Sequence, residues 1–325
     1  MNQNPIRFRC PDSGLPREER ISQLFESIAE WVNSDALNQM VSAFGGDIPM
    51  DLSLAKKIHW LNDFAEVWDY RKKQAASGER WNITEDPMVL KNSELVMSCA
   101  EVLGLTNIET PLITPNYILP LGGARKSNYA RPLKAKEIID SLGIRDSSIV
   151  ALSGTRPINE IELSYLQEFA PEAKTEYEAI STGMEKCFNL TSGYTEEKGS
   201  DENINLCFAV RKYNDTYQDN TVFSLAAPSS DPARRANSRD TFCYFLDNFN
   251  IKEGDRLLLV TTCIYVPFQL LRFMDLALDR GFFCDCIGMP NDHKGGTSFS
   301  QFTNYCQETK ATINGLEALA EKYLQ

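Results

Sequence analysis

The chain has 325 residues, 42% of them hydrophobic and 24% charged, which excludes a disordered, collagen-like or disulfide-stapled protein and leaves length for about two domains. A formal charge of −12 repels polyanions, so nucleic acid is excluded as a general partner, while a few arginines inside a cleft still suffice to hold a small anion. Nine scattered cysteines without a Cys-x-x-Cys pair, a polar Met1–Pro16 segment and the absence of any run of about 18 apolar residues predict a reduced, cytoplasmic chain with no membrane partner.

Between Arg17 and Leu105 the apolar residues recur at helical spacing. Ile21, Leu24, Phe25, Ile28, Trp31 and Val32 make one face, and Ile58, Leu61, Phe64, Ala65 and Trp68 make another. A further helix is predicted over Ser93–Leu103, capped by Asn92 or Ser93 and stopped at Gly104. Trp31, Trp60, Trp68 and Trp81 all fall in this stretch, and large aromatics at helical spacing point to core packing rather than a partner surface. Residues 1–108 are therefore predicted to form a helical region, with the Gly45–Gly46 turn and the polar loop Gly78–Pro87 as joints.

After Pro111 the pattern becomes short apolar runs, each followed by small or polar residues and a helix-like stretch. Tyr117–Leu121, Ser148–Leu152, Asn205–Lys212, Thr221–Ala227, Arg256–Val260 and Phe282–Met289 are predicted strands. Lys134–Leu142, Thr175–Leu190, Thr241–Phe249, Val266–Arg280 and a segment from about Ser298 to Tyr323 are predicted helices. Thr175 followed three residues later by Glu178 has the capping-box pattern. The unbroken apolar run Leu257–Val260 suits a strand covered on both faces. This order gives residues 109–325 a Rossmann-like α/β fold, an open and mainly parallel sheet flanked by helices. It also puts any ligand at the strand carboxyl ends, near the point where strand order reverses.

The polar residues such a site needs follow these strands. Gly122 and Gly123 bare the backbone after the first strand, and Arg125 follows with positive charge. The spacing is neither Gly-x-Gly-x-x-Gly nor a Walker loop. Ser153, Gly154, Thr155 and Arg156 follow the second strand, with hydroxyls to orient an anion and a guanidinium to hold it by two hydrogen bonds. Arg234, Arg235 and Arg239 form a basic cluster entering a helix where Ser238 and Thr241 offer hydroxyls, and Asn237 through Thr241 are equally suited to capping. Thr261 and Thr262 end the strongest strand, followed by Cys263, which has no identifiable base beside it. Glu176 and Glu178 suit the positive end of a helix, and become ligand groups for a hydroxyl or ammonium if that end faces the site. Cys284, Cys286 and His293 do not have zinc-ligand spacing, and no metal is expected.

Taken in order, Leu121-Gly122-Gly123, Ser153-Gly154-Thr155, Glu178-Ala179, Ser238-Arg239-Asp240-Thr241 and Leu259-Val260-Thr261-Thr262 resemble the strand-end motifs of the YdcF-like family, which includes the SanA and ElyC branches. The resemblance runs over about residues 115–290 and leaves the helical region outside. The sequence departs from the pattern where Thr155 replaces a glycine, Cys243-Tyr244 replaces Glu-Asn and Val266 replaces a histidine, with Gln269 and Arg272 downstream. What the resemblance implies is a Rossmann-like domain of a cytoplasmic branch, with a cleft for a nucleotide-like ligand such as S-adenosylmethionine; it supplies no reaction. The expected function is therefore binding of a small anionic or nucleotide-like ligand. The alternative is a non-catalytic sensor or protein-interaction module whose cleft has degenerated.

Overall fold

The computed structural model describes residues 4–11, 13–74, 83–290 and 301–324. Trp81, His293, most of the polar loop before Pro87 and the first residues of the last predicted helix lie outside the described residues. The helices are α1 (Arg17–Val32), α2 (Asp35–Ala43), α3 (Leu54–Phe64), α4 (Tyr70–Gln74), α5 (Pro87–Lys91), α6 (Ser93–Val102), α7 (Ser127–Leu142), α8 (Glu160–Leu166), α9 (Glu176–Phe188), α10 (Ser238–Asn248), α11 (Val266–Arg280) and α12 (Phe302–Tyr323). The strands are β1 (Tyr117–Pro120), β2 (Ser148–Gly154), β3 (Tyr194–Gly199), β4 (Phe208–Tyr217), β5 (Asn220–Ala227), β6 (Arg256–Thr262) and β7 (Phe283–Met289). They fall into two units, one of Met1–Ile108, Cys263–Leu278 and Phe299–Gln325, the other of Glu109–Thr262 and Asp279–Ser298.

The first unit is helical, and two of its tryptophans are core. Trp31 and Trp68 are fully buried. The Trp31 indole N–H donates to the Leu103 carbonyl at 3.1 Å, which satisfies the ring's polar edge inside the core. Trp68 meets Phe44 and Phe64 edge-on, and the half-buried Trp60 stacks on Phe64 at 5.4 Å. α12 is tied into this unit by polar side chains: Glu85 accepts the N–H groups of Phe302 and Thr303 at its first turn, and Lys310 pairs with Glu66 at 2.8 Å. Helix starts leave four N–H groups without intrahelical partners, so a carboxylate there both bonds and matches the dipole.

The second unit is the mixed α/β part, a seven-stranded sheet in the order β3-β4-β5-β2-β1-β6-β7. β5, β2, β1, β6 and β7 are parallel, and β3 and β4 form an antiparallel edge. Side chains alternate across the sheet: Ile118, Ile149, Val222, Leu258 and Val260 pack with Ile139, Ile180 and Met184 of α7 and α9. On the opposite face Tyr117 and Phe223 meet Phe245 and Phe249 at α10. The expected α/β class with a helical N-terminal region is the observed one.

Three local differences from the sequence expectation have physical causes. β3 reads Tyr-Thr-Glu-Glu-Lys-Gly and has no apolar face, because as an edge strand it keeps its charges toward water, where they discourage pairing with another chain. α8 was not expected either, although Asn159 and Glu162 carry a capping box that forms fully in the structure. Most consequentially, α7 starts at Ser127 rather than Lys134, with Pro132 inside it. A proline argues for a helix boundary because it lacks an N–H and clashes with the preceding turn. Here Gly183 of α9 leaves space for the Asn128 carbonyl that Pro132 cannot satisfy.

Candidate functional site

β1 pairs with β2 on one side and β6 on the other, so the connections leaving β1 and β6 part at their carboxyl ends, which is the switch point of the sheet. Arg131 of α7 spans that point. Its Nη1 donates to the carbonyls of Leu121 at 2.8 Å and Gly122 at 2.5 Å, and its Nη2 to the Thr262 hydroxyl at 3.3 Å. It is 5% exposed, so a formal charge sits almost wholly inside the protein. One turn earlier, Asn128 accepts the Gly123 N–H at 3.0 Å and donates to the Gly123 carbonyl at 2.8 Å. The Gly122 N–H donates to Leu152. The glycine turn is thus fixed by the start of α7 and by β2, and both of its N–H groups are already engaged.

Arg156 holds the neighbouring strand end together. Its Nη1 and Nη2 fork onto Glu162 at 2.7 and 2.8 Å, and its Nε donates to Glu176 at 3.1 Å. Burial pushes the Glu162 carboxyl up, but the guanidinium of Arg156 and the backbone N–H groups of Asn159 and Arg125 outweigh it and hold the group below the ordinary carboxylate range. Glu176 turns its other oxygen toward Gly122. A Cβ on Gly122 would lie 2.5 Å from Glu176 Oε1 and 3.0 Å from the Ser153 Cβ. Gly122→Ala should therefore destabilise the protein by about 1–3 kcal/mol, and less in a Glu176→Ala background. Equal urea midpoints for wild type and Gly122→Ala would refute the packing.

The remaining expected site residues occupy several places. The Ser153 hydroxyl donates to the Leu225 carbonyl and the Thr155 hydroxyl to the Ile204 carbonyl. Gly154 pairs with Ala227 and faces Ala236, in the segment before α10. Arg125 adopts a positive φ and lays its guanidinium over Tyr165 at 4.8 Å. Glu178 accepts the N–H groups of Lys174 and Thr175, completing the cap of α9. Ser238 is half-buried at the first position of α10, Arg239 is exposed, and Thr241 donates back to the Asn237 carbonyl. Thr261 is 1% exposed, and its hydroxyl has no partner among the described residues. Thr261 and Thr262 leave opposite faces of β6, so the first does not share the Arg131 side.

The basic cluster before α10 is partly structural. Arg234 pairs with Asp240, which also accepts the Ser230 hydroxyl and the Asn237 N–H. Burial raises the Asp240 carboxyl, yet these partners hold it at about 2, below its ordinary 3.8. A depressed folded value means the stabilisation is complete above the ordinary value and fades as pH falls toward 2. A carboxylate chemical-shift titration centred near 3.8 would refute this.

In the sequence Asn128 stands out only as the end of the candidate loop Leu121–Asn128 after the first strand, with no role of its own, and Arg131 does not stand out at all. The available signal was their i, i+3 spacing just after the glycine pair, which puts both on one helix face, but Pro132 masked the helix. Among the described residues no three His, Cys, Asp or Glu side chains gather as a metal site requires, and no helix is long and apolar enough to cross a membrane. Cys284 and Cys286 lie buried in β7, and all nine cysteines are thiols.

Comparison with known proteins corrects the family expectation. Residues 16–104 match the family described as the Rv3785 N-terminal domain. The chain is 27% identical over 340 aligned positions to uncharacterized protein Rv3785 of Mycobacterium tuberculosis H37Rv, covering 96% of this chain and 94% of that one. Uncharacterized protein Mb3814 of Mycobacterium bovis matches to the same extent. Neither the domain match nor these nearly full-length relatives point to the YdcF-like family, and that resemblance is withdrawn. Its short motifs have local causes here: the Glu178 motif is a helix cap, the Ser238–Thr241 motif a helix start, and Leu121-Gly122-Gly123 a close backbone approach. No solved structure matches the chain.

Proposed function

We propose that the α/β unit binds a small anionic or nucleotide-like metabolite at the carboxyl ends of β1, β2 and β6. The supporting observation is Arg131, a buried guanidinium joining the end of β1 to the end of β6 where the sheet order reverses. Open α/β sheets bind ligands at such points. Glu176 adds an acceptor above Gly122 for a hydroxyl or ammonium. The thiol state of the cysteines supports a cytoplasmic setting.

The test is a thermal-shift screen against nucleotides, phosphorylated metabolites and S-adenosylmethionine, since a ligand at 100 times its Kd stabilises by about 2.7 kcal/mol. A hit weakened by Glu176→Gln and by Arg125→Ala supports the site. The competing reading, an interaction module, is favoured by the internal pairing of Gly123, Ser153, Thr155 and Arg156. A folded protein that is silent across the panel would leave that reading in place.

A further inference from the structure

Residues 158–174 leave and rejoin the body at one neck. The Ile158 N–H donates to the Lys174 carbonyl and the Glu176 N–H to the Arg156 carbonyl, both at 2.9 Å, with Pro157 opposite Thr175 between them. The excursion carries α8 and a small core of its own, Leu166, Phe169, Ala170 and Ala173, set against Ala179. Compact loops whose ends lie close together and that are packed by their own side chains are frequently functional.

Its free side is fastened to the loop after β1. Tyr165 lies under Arg125, and Glu168 pairs with Lys126 at 2.7 Å. Glu162 is wholly buried and gripped by the Arg156 fork. An arginine fork is the donor set that receives a carboxylate or phosphate by two parallel hydrogen bonds. Glu176 keeps Arg156 Nε in place independently, so the guanidinium would stay aimed if Glu162 left.

We infer that residues 158–174 form a self-closing lid in which the Glu162 carboxylate occupies the oxyanion subsite of the ligand site, and that a ligand's carboxylate or phosphate takes over Arg156 as the lid lifts at its neck. The inference rests on the ligand-binding reading above. A tethered carboxylate competes at high effective concentration, so weak anions cannot displace it from the intact protein.

Two experiments test it. In Glu162→Ala, inorganic phosphate at about ten times its Kd should raise Tm by roughly 2–3 °C, while wild type and Glu162→Ala/Arg156→Met shift far less. A folded Glu162→Ala without a shift, or the same shift in all three proteins, would overturn the inference. In hydrogen exchange on the wild-type chain, the amides of 158–174 should open together and faster than those of β2 and β6, and Glu162→Gln should accelerate these amides alone. Exchange of 158–174 at the rate of the sheet overturns the lid, and this measurement decides the matter if Glu162→Ala does not fold. A silent metabolite panel alongside phosphate binding by Glu162→Ala would remove the nucleotide-like ligand and keep the lid; a panel hit with no sub-global opening would do the reverse.

Discussion

Gly183→Ala should destabilise the protein by about 1–3 kcal/mol, although alanine is the better helix former by about 1 kcal/mol. Gly183 lies inside α9, where helix propensity alone predicts a gain. The opposing fact is steric: a Cβ there collides with the Asn128 carbonyl oxygen, 3.0 Å from the Asn128 carbonyl carbon and 3.3 Å from the Tyr129 Cα. These are backbone atoms of α7, held by the Asn128 side chain's two bonds to Gly123, and they cannot rotate away. Gly315 of α12 is the control, for its Cβ would meet Leu271 side-chain atoms at 3.5–3.7 Å, an ordinary contact. Gly315→Ala should therefore stabilise by about 0.5–1 kcal/mol. Urea midpoints of the two variants should move in opposite directions; a stabilised Gly183→Ala would refute the close approach of α7 and α9.

That contrast also shows what the sequence discloses. β1, β2, β5, β6 and β7 were legible because a parallel strand covered on both faces must be apolar throughout, and Leu257–Val260 could hardly be anything else. β3 was hidden because an edge strand facing water needs no such run. The glycine pair and the threonines were visible as residues that topology alone puts at the strand ends. Their pairing was not, since whether a hydroxyl or guanidinium is spent within the chain depends on partners far away in sequence: Ser153 on Leu225, Arg131 on Thr262. The resemblance of the strand-end motifs failed for a related reason. A helix cap or a bare glycine at a strand end answers a need of the backbone that unrelated α/β chains share.

Arg156 and Arg131 are both buried cations at this end of the sheet. Arg156 faces two carboxylates, so its charge is compensated by Glu162 and Glu176. Arg131 donates to two carbonyls and a hydroxyl, dipoles that orient it across the switch point. The hydrogen bonds make its removal costly even without ligand. Arg131→Met keeps much of the side-chain volume but takes the donors from the Leu121 and Gly122 carbonyls and the Thr262 hydroxyl. At about 1–3 kcal/mol for each buried group left without a partner, and with water able to reach the edge of the cluster, a net loss of about 2–4 kcal/mol is expected. Lysine carries the charge without the planar fork, so Arg131→Lys should recover less than half of that loss. The measurement is the urea midpoint at constant m-value, repeated with any ligand found by the metabolite screen. Full recovery by lysine would show that charge, not the fork, matters at the switch point, and unchanged stability in Arg131→Met would remove Arg131 as the residue that joins β1 to β6.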